Sequence, residues 1–274
     1  MVSRRSVLGS VSTLLAGAGT GCVGQLGPSS ERVRWRRRIG GRPYLAGGML
    51  YAMDRLRLHA LSPADGETQW TVGWDAEEFA ADAERDGSLC LSTELAADGE
   101  RVYVAGCDGV RALRRSDGDR EWFVEASLRG GVAVGPDRVY ANGDDLLAVD
   151  AASGAVDWRV PTGGERLTRP AVAGGTVVLT NRVDGIVTAF STDGEQRWQH
   201  RTGVETRSPT IDGDTVYVAT APDPGRMGEL LARNRVDGTV RWRVETPATV
   251  KRGTRPVVGD ERVFLGGSVE ILNY

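Results

Sequence analysis

Side chains that commonly carry catalysis or bind metals are few in this chain. It has three cysteines and two histidines among 274 residues. His59 and His200 are more than one hundred residues apart, and neither has a Cys or His beside it at a metal-ligand spacing. A zinc site or a catalytic histidine needs such partners within reach. The chain also lacks a Gly-x-Ser-x-Gly elbow and a Gly-rich phosphate loop in a strand–helix unit. We therefore expect no catalytic residue, no metal ligand and no bound cofactor.

Two acidic clusters have ligand types that calcium prefers. They are Asp144-Asp145 and Asp212-Gly213-Asp214. Neither has the spacing of an EF-hand loop, and both fall where the sequence predicts turns. Asp is common in turns because its carboxylate can hydrogen-bond the backbone two residues further on. We therefore interpret both clusters as turn formers.

Residues 1–22 predict an export signal followed by a lipid attachment site. Arg4 and Arg5 stand in a segment that resembles the twin-arginine export signature. A short apolar stretch follows, and it is too short and too rich in Gly to span a bilayer stably. It ends at Gly19-Thr20-Gly21-Cys22, which resembles a lipobox. In such a motif the Cys is lipidated and becomes the first residue of the mature chain.

Export would place the folded part outside the cytoplasm. A lipid on Cys22 would then hold it at the outer face of the cytoplasmic membrane, with residues 23–32 as a tether. The alternative is a plain signal peptide cleaved near Ala18 or Gly21, in which case Cys22 plays no part in anchoring.

The composition is that of a globular protein with a hydrophobic core. Hydrophobic residues make up 40% of the chain and charged residues 26%, which are ordinary values for such proteins. The formal net charge is −3, whereas a nucleic-acid-binding domain is expected to present a net basic face. We therefore expect no nucleic-acid partner.

An internal repeat determines the predicted fold. The motif Gly-x-x-x-Trp occurs five times, at Gly66/Trp70, Gly118/Trp122, Gly154/Trp158, Gly194/Trp198 and Gly238/Trp242. Asp or Ser precedes each Gly, and Asp-Gly between two apolar runs predicts a β-hairpin because Gly adopts positive φ without steric cost. A small residue stands nine or ten positions before each Trp, at Ala60, Ala112, Ala148, Ala189 and Ala232.

A strand-forming segment lies upstream of each small residue and follows a turn. These segments are Leu50-Tyr51, Val102–Val104, Val139-Tyr140, Val177–Leu179 and Val216–Val218, with a sixth copy at Val263–Leu265 that has no Trp after it. Equivalent positions are 52, 37, 38, 39 and 47 residues apart, which does not fit leucine-rich or ankyrin repeats. Four short strands in roughly forty residues are typical of a β-propeller blade.

The repeats resemble those of the PQQ-like β-propeller family, which includes the quinoprotein dehydrogenases and the BamB-type lipoproteins. Residues 148–158 read Ala-Val-Asp-Ala-Ala-Ser-Gly-Ala-Val-Asp-Trp, and the family pattern is Ala-x-Asp-x-x-x-Gly-x-x-x-Trp. The resemblance covers residues 33–274. It implies that the repeated Trp packs between blades, in keeping with the large apolar area that a Trp buries. The structural tryptophans would then be Trp35, Trp70, Trp122, Trp158, Trp198 and Trp242.

Residues 33–274 are thus predicted to form an all-β, six-bladed propeller of four-stranded antiparallel blades. The sixth repeat ends after Val269–Leu272 and lacks a Trp strand. Conversely, Val33–Arg36 contains Trp35 and has no blade before it. Pairing the two segments would complete blade six, so that the N-terminal strand closes the ring and covers the free sheet edges.

The resemblance does not by itself imply a quinone cofactor. The quinoprotein dehydrogenases have more blades, a calcium ion and typically an adjacent Cys pair, whereas Cys90 and Cys107 are far apart in this sequence. We therefore favour a non-enzymatic binding or assembly scaffold, with other proteins at the cell surface or membrane as partners. The alternatives are a small-molecule or glycan-binding module that uses the central funnel and, less favoured, a quinone- or calcium-dependent dehydrogenase.

Cys90 and Cys107 are predicted to form a disulfide. They flank the turn at Asp98-Gly99, and if that turn is a two-residue loop they face each other across an antiparallel pair. Non-hydrogen-bonded pairs hold their Cα atoms about 4.5 Å apart, which a disulfide accepts. Export also permits oxidation. The alternative is two separate thiols.

Overall fold

Short antiparallel strands account for all the regular structure among the residues that the structure describes. This computed structural model describes residues 33–39, 43–54, 57–74, 95–106, 108–162, 166–221, 227–246, 255–259, 262–266 and 271–273. The chain divides into two units, Met1–Arg36 and Arg37–Tyr274. Every strand belongs to the second unit. Among the described residues, none lies in a helix long and apolar enough to cross a membrane.

The strands form six successive sheets. Blade 1 contains β1 (Tyr44–Ala46), β2 (Met49–Asp54), β3 (Arg57–Leu61) and β4 (Thr68–Gly73). Blade 2 contains β5 (Ala96–Ala97), β6 (Arg101–Gly106), β7 (Gly109–Arg114) and β8 (Arg120–Glu125). Blade 3 contains β9 (Leu128–Val134), β10 (Arg138–Gly143), β11 (Asp145–Asp150) and β12 (Val156–Pro161). Blade 4 contains β13 (Ala171–Ala173), β14 (Thr176–Asn181), β15 (Ile186–Ser191) and β16 (Gln196–Arg201). Blade 5 contains β17 (Thr210–Asp212), β18 (Thr215–Ala219), β19 (Gly228–Asn234) and β20 (Val240–Thr246). Blade 6 contains β21 (Val257–Gly259), β22 (Arg262–Gly266) and β23 (Ile271–Asn273).

Neighbouring blades meet through their first strands. β5 contacts β9, β9 contacts β13, β13 contacts β17, and β17 contacts β21. Within each blade the strands pair in chain order, so the first strand is innermost and the fourth is outermost. This is the predicted all-β propeller of six antiparallel blades, and both the fold class and the blade number are confirmed.

Closure of the ring by the N-terminal segment stays a prediction. Blade 6 has three strands among the described residues. Residues 33–39, which include Trp35, are described outside any strand. Within the second unit, the Arg37 guanidinium donates a hydrogen bond to the Thr68 hydroxyl at the start of β4, at 2.5 Å.

Burial differs between the middle and the outer strands, and the sequence reflects this difference. All six residues of β14 are buried, and β6 is buried from Val102 onward. Strands covered on both faces are expected to be nearly continuous apolar runs. The outermost strand β8 instead alternates, with Trp122 and Val124 buried between exposed neighbours.

In blades 1, 2, 3 and 5, the small residue of the repeat makes room for two aromatic rings. In blade 1, Ala60 pairs with Tyr51 on one side and with Trp70 on the other. Because Ala carries only a methyl group, the two rings approach across it to 5.9 Å between centroids. The same arrangement gives 5.7 Å for Tyr103/Trp122, 6.0 Å for Tyr140/Trp158 and 5.9 Å for Tyr217/Trp242. In every four-stranded blade except blade 4, an aromatic pair therefore spans the sheet.

The repeated Trp links its blade to the next one. Trp70 of blade 1 donates its Nε1–H to the carbonyl oxygen of Arg115 in the turn between β7 and β8, at 2.8 Å. The bonds from the following three blades are Trp122 to Ala151 at 3.0 Å, Trp158 to Thr192 at 2.9 Å and Trp198 to Arg235 at 2.9 Å. We call the residue that supplies this carbonyl the Trp-acceptor position, which is Arg115, Ala151, Thr192 or Arg235.

The repeated Gly packs against the same indole. A Cβ at Gly118 would lie 2.7 Å from the Trp70 ring, and one at Gly238 would lie 2.6 Å from the Trp198 ring. The same relation holds for Gly154 with Trp122 and for Gly194 with Trp158. The Gly and Trp that contact each other thus belong to neighbouring blades, although the motif pairs them within one repeat.

Trp242 differs from the other tryptophans of the blades. It is 40% exposed, whereas Trp70 is 8% exposed and Trp198 is 7% exposed. The described part of blade 6 ends with β23, before the turn that would contact Trp242 by analogy with the other blades.

The contact between Gly118 and Trp70 can be separated from the backbone requirement for Gly. Gly118 has φ +83° and Gly213 has φ +52°, but nothing lies within 4 Å of a Cβ at Gly213. Positive φ costs an L-residue about 1–2 kcal/mol, and forcing a methyl group into a packed site adds about 1–3 kcal/mol. We expect Gly118→Ala to lower the free energy of unfolding by about 2–5 kcal/mol and Gly213→Ala by about 1–2 kcal/mol. Urea denaturation measures both, and equal losses would show that the indole does not require Gly118.

Candidate functional site

The turns of the propeller form a surface at one end of the blades. In a four-stranded antiparallel meander, the turn between the first and second strands and the turn between the third and fourth lie at the same end. We call this end the turn face. Its residues are 47–48, 62–67, 98–100, 115–119, 135–137, 151–155, 174–175, 192–195, 213–214 and 235–239. Loops carried by a rigid scaffold are common sites of binding.

Asp side chains give the turn face a persistent negative charge. Asp65 accepts the amide of Glu67 at 3.0 Å, Asp117 accepts that of Asp119 at 3.0 Å, and Asp237 accepts that of Thr239 at 2.9 Å. The Glu67 and Asp119 amides are the main causes that lower the pKa of Asp65 and Asp117. The Thr239 side chain, followed by its amide, lowers the pKa of Asp237. These carboxylates therefore remain ionised well below neutral pH.

A guanidinium joins the turns of blades 1 and 2. Arg115 donates to the carbonyl oxygens of Ala46 at 3.2 Å and Gly47 at 2.8 Å, both in blade 1. It also donates to the carbonyl oxygens of Asp98 and Gly99 in blade 2, at 3.0 Å each. Its Nε donates to the Tyr51 hydroxyl at 3.0 Å. The planar fork of five donors suits such a site, where several oxygens converge.

A second guanidinium joins the turns of blades 4 and 5. Arg235 donates to the Gly174 carbonyl oxygen of blade 4 and to that of Gly213 in blade 5 at 3.1 Å. It also pairs with the Asp214 carboxylate at 2.9 Å. Arg115 and Arg235 both occupy the Trp-acceptor position, so one residue accepts the indole with its backbone and joins two turns with its side chain.

At the interface of blades 2 and 3, the Trp-acceptor residue is Ala151, which has no guanidinium. The turn of blade 2 is held instead by the carboxylate of its own Asp98. The Asp98 carboxylate accepts the Tyr103 hydroxyl at 2.5 Å and the amides of Glu100 and Arg101 at 2.7 Å each. Burial alone would raise the pKa of Asp98, but these hydrogen bonds outweigh it and lower the pKa. Burial and the neighbouring Asp98 raise the pKa of Tyr103. Asp98 is therefore an ionised acceptor beneath the turn.

A pocket opens beside Asp98. It has a volume of about 410 Å³ and is lined by residues 98–101 of blade 2 and by residues 136–137 and 150–152 of blade 3. We call it the blade 2–3 pocket. It lies on the turn face and contains Ala151, the Trp-acceptor residue of blade 3.

The residues of the predicted export signal and lipid attachment site lie outside the described part of the chain. Arg4, Arg5 and Cys22 are not among the described residues, and neither are residues 23–32 of the tether. Their roles in export and lipidation stay predictions. Trp35 is described and half-buried.

The register predicted for the strands that flank Asp98-Gly99 is wrong, although the disulfide between Cys90 and Cys107 stays a prediction. Ala97 pairs with Val102, and Asp98 donates its amide to the Arg101 carbonyl at 3.1 Å. The two turn residues are therefore Gly99 and Glu100, because Asp98 caps the turn with its carboxylate. This register does not place Cys90 opposite Cys107, and both cysteines lie outside the described residues.

The histidines and acidic clusters are spread over separate blades. His59 on β3 lies 3.1 Å from the Thr71 hydroxyl, and His200 on β16 packs on Trp198 at 5.6 Å. Asp214 lies in the turn between β17 and β18 and pairs with Arg235 at 2.9 Å. Within the described ranges, no group of three or more His, Cys, Asp or Glu side chains could hold a metal ion.

Sequence reasoning missed the two joining arginines and the pocket. Arg115 and Arg235 each stand three residues before the repeated Gly. That shared spacing was a usable signal, but only two repeats carry it. Ala151 stands at the same spacing in a third repeat, but the sequence does not indicate a pocket there. The pocket forms between turns of two blades, and their arrangement cannot be read from one repeat.

The strand order, the interblade indoles and the turn face define a PQQ-like β-propeller. A family model described as outer membrane protein assembly factor BamB matches residues 3–126 and 108–270. The chain therefore belongs to this family. The curated protein named outer membrane protein assembly factor BamB of Yersinia pestis is 28% identical over 226 residues, covering 74% of this chain and 56% of that protein. The protein of the same name of Moranella endobia (strain PCIT) is 30% identical over 129 residues, covering 41% of this chain and 33% of that protein.

This chain thus spans little more than half of the Yersinia pestis protein, and less of the Moranella endobia one. Among solved structures, BamB from Moraxella catarrhalis matches with a TM-score of 0.64 and 18% identity, covering 88% of this chain and 71% of that one. Quinohemoprotein alcohol dehydrogenase from Comamonas testosteroni matches with a TM-score of 0.57 and 16% identity, covering 79% and 44%. At these identities both likenesses show the fold alone.

The lowered pKa of Asp98 predicts a pH-dependent contribution to stability. The contribution is complete above about pH 4, the ordinary pKa of an unfolded Asp, and is lost as the pH falls through the lower pKa of the folded state. We expect Asp98→Asn to make the decline of Tm between about pH 4 and pH 2 shallower than in the wild type. Tyr103→Phe, which removes the hydroxyl donor, should do so in part. Thermal unfolding followed by circular dichroism across this range measures the effect, and unchanged pH slopes in both variants would contradict it.

Proposed function

We propose that this protein is an extracytoplasmic, lipid-anchored and non-enzymatic scaffold that binds other proteins through its turn face. Membership of a family described as an outer membrane protein assembly factor supports a role in binding proteins. The observation that carries the proposal is the turn face itself, a rigid surface of ionised carboxylates built on the interblade indoles. The fold alone would not specify a function, because one propeller architecture hosts many.

Charge and rigidity determine the partner that this surface suits. The Asp side chains are held by backbone amides of their own turns, so little conformational entropy is lost when a partner binds. A basic surface on the partner would be attracted before contact, and complementary charge raises association rates and excludes acidic competitors. The proposed partner is therefore a protein, at or near the membrane, with a basic patch.

Charge reversal on the turn face tests the proposal. The variant Asp65→Lys/Asp117→Lys/Asp237→Lys reverses three carboxylates of this face. We expect it to lose the membrane proteins that the wild type retains in affinity capture from detergent-solubilised membranes, since like charges placed opposite a basic patch repel it. Quantitative mass spectrometry of the captured proteins measures the loss.

The opposite end of the blades supplies a matched control. Asp54, Glu125 and Glu245 are exposed and lie at or near the ends of β2, β8 and β20 away from the turn face. The variant Asp54→Lys/Glu125→Lys/Glu245→Lys changes the net charge equally and should retain the same proteins. If both triple variants lose them alike, net charge and not the turn face governs binding, and the proposal fails.

Lipidation of Cys22 would fix the location of this scaffold at the outer face of the cytoplasmic membrane. The support is the sequence, namely the Arg4-Arg5 pair and the small residues before Cys22. We expect Cys22→Ser to move the protein from the membrane fraction to the soluble extracytoplasmic fraction, because a lipid chain supplies the membrane affinity. Cys90→Ser is the control and should remain with the membrane. Membrane association of Cys22→Ser at the wild-type level would refute the anchor.

A further inference from the structure

The Trp-acceptor position combines a fixed backbone with a variable side chain. At Arg115, Ala151 and Arg235 the carbonyl oxygen accepts the indole N–H of the preceding blade at 2.8–3.0 Å. Each of these residues stands three positions before a Gly that packs on that indole. The three Cα atoms are therefore equivalent in the repeat, and the side chains start from equivalent places between two blades.

Two of these side chains fill the space between neighbouring turns. A Cβ at Gly47 would overlap the Arg115 guanidinium. One at Gly174, in the same turn position of blade 4, would lie 2.7 Å from the Arg235 guanidinium. In both places the carbonyl oxygen of this Gly accepts a hydrogen bond from the guanidinium. A guanidinium between turns is thus a recurring element of this propeller.

The third site has the same frame and an open centre. Gly99 occupies the position of Gly47 in the turn of blade 2, and nothing lies within 4 Å of a Cβ placed on it. Ala151 stands here at the Trp-acceptor position, and its methyl group is too short to fill the space that a guanidinium fills at the other two sites. The blade 2–3 pocket, of about 410 Å³, lies at this place. The carbonyl oxygens of Asp98 and Gly99 each accept one bond from Arg115 and have a second lone pair.

The charge of the lining favours a cation in the pocket. The residues that line it include four acidic ones, Asp98, Glu100, Asp137 and Asp150, and one basic one, Arg101. Four negative charges and one positive charge leave a net charge of −3. Arg101 is already engaged, since it pairs with Glu121 at 2.6 Å and with Glu100 at 3.2 Å. The Ser153 hydroxyl, followed by its amide, lowers the pKa of Asp150.

We propose that the blade 2–3 pocket binds the guanidinium of an arginine side chain supplied by a partner protein, in the place that Arg115 and Arg235 fill from within the chain. This inference rests on the proposed function and specifies its partner as one that presents an exposed arginine. A guanidinium can form several directed hydrogen bonds to carbonyl and carboxylate oxygens at once, whereas an ammonium acts as a point charge. The pocket should therefore prefer arginine to lysine.

A short peptide tests the pocket directly. The probe is N-acetyl-Gly-Arg-Gly-amide, with N-acetyl-Gly-Lys-Gly-amide as its comparison, titrated into the ¹⁵N-labelled protein at low ionic strength. We expect the arginine peptide to shift the amide signals of Gly99, Ala151 and Ala152, and the lysine peptide to bind about tenfold more weakly. Equal affinities for the two peptides, or no shift at these amides, would overturn the proposal.

Filling the pocket from within the chain supplies the matched variants. Ala151→Arg should place a guanidinium as Arg115 does, raise Tm and abolish peptide binding. Ala155→Arg adds the same charge at an exposed position outside the pocket lining; because it leaves the pocket open, it should retain peptide binding. Asp137→Asn, which leaves the backbone frame intact, should weaken binding several-fold even if Ala151→Arg folds poorly. Wild-type affinity in Asp137→Asn or in folded Ala151→Arg would refute the pocket as the binding site.

Capture from membranes separates this inference from the proposed function. If Ala151→Arg loses the peptide and also the proteins captured by the wild type, both stand. If it loses the peptide but keeps those proteins, the scaffold function stands and arginine binding by the partner is refuted. If the wild type binds the peptide but captures nothing that depends on the turn face, the proposed function fails while the pocket remains a guanidinium site.

Discussion

The indole held between two blades is the contact on which the order of the propeller depends. Each blade is a small twisted sheet, and apolar faces alone would let neighbouring sheets slide. The Trp side chain adds a directed bond, because its single N–H reaches one carbonyl oxygen in the next blade, as Trp70 reaches Arg115. Replacing a buried Trp by Ala costs about 3–5 kcal/mol in general, and one hydrogen bond contributes about 1 kcal/mol of that. Apolar contact thus provides most of the stability, and the hydrogen bond provides the register.

This contact explains why the small residue and the Gly stand at nearly constant distances from the Trp in each repeat. Ala60, Ala112, Ala148 and Ala232 are small because two rings meet over each of them. Gly118 and its counterparts lack a side chain because the indole of the preceding blade occupies that space. The strand pairing shifts directly after each of these alanines, for example between Ala60 and Leu61. Such bulges increase local twist and re-aim the following side chains.

The sequence predicted the features that every repeat shares, and it failed where repeats differ. Turns, strand order, blade number and the small residue opposite Trp each recur with a fixed spacing, so that one blade supports the interpretation of the next. The predicted strand register at Asp98 was wrong for a local reason. The Asp98 carboxylate accepts two backbone amides, and the turn therefore lies one residue further along the chain than predicted. Arg115 and the blade 2–3 pocket could not be foreseen, because each depends on contacts between turns that are distant in sequence, such as Gly47 and Arg115.

Specificity in a repeat protein is expected where the backbone is fixed and the side chain is free to vary. The Trp-acceptor position meets both conditions, since the indole bond constrains its carbonyl while its side chain points between turns. Arginine there couples two blades, as Arg115 and Arg235 do, and it fills part of the turn face. Alanine at position 151 gives up that coupling and leaves the blade 2–3 pocket, with its acidic lining residues, open on the turn face. Ala151 thus stabilises its blade interface less than Arg115 and Arg235 stabilise theirs. In return, it leaves a space on a rigid surface in which a partner can bind.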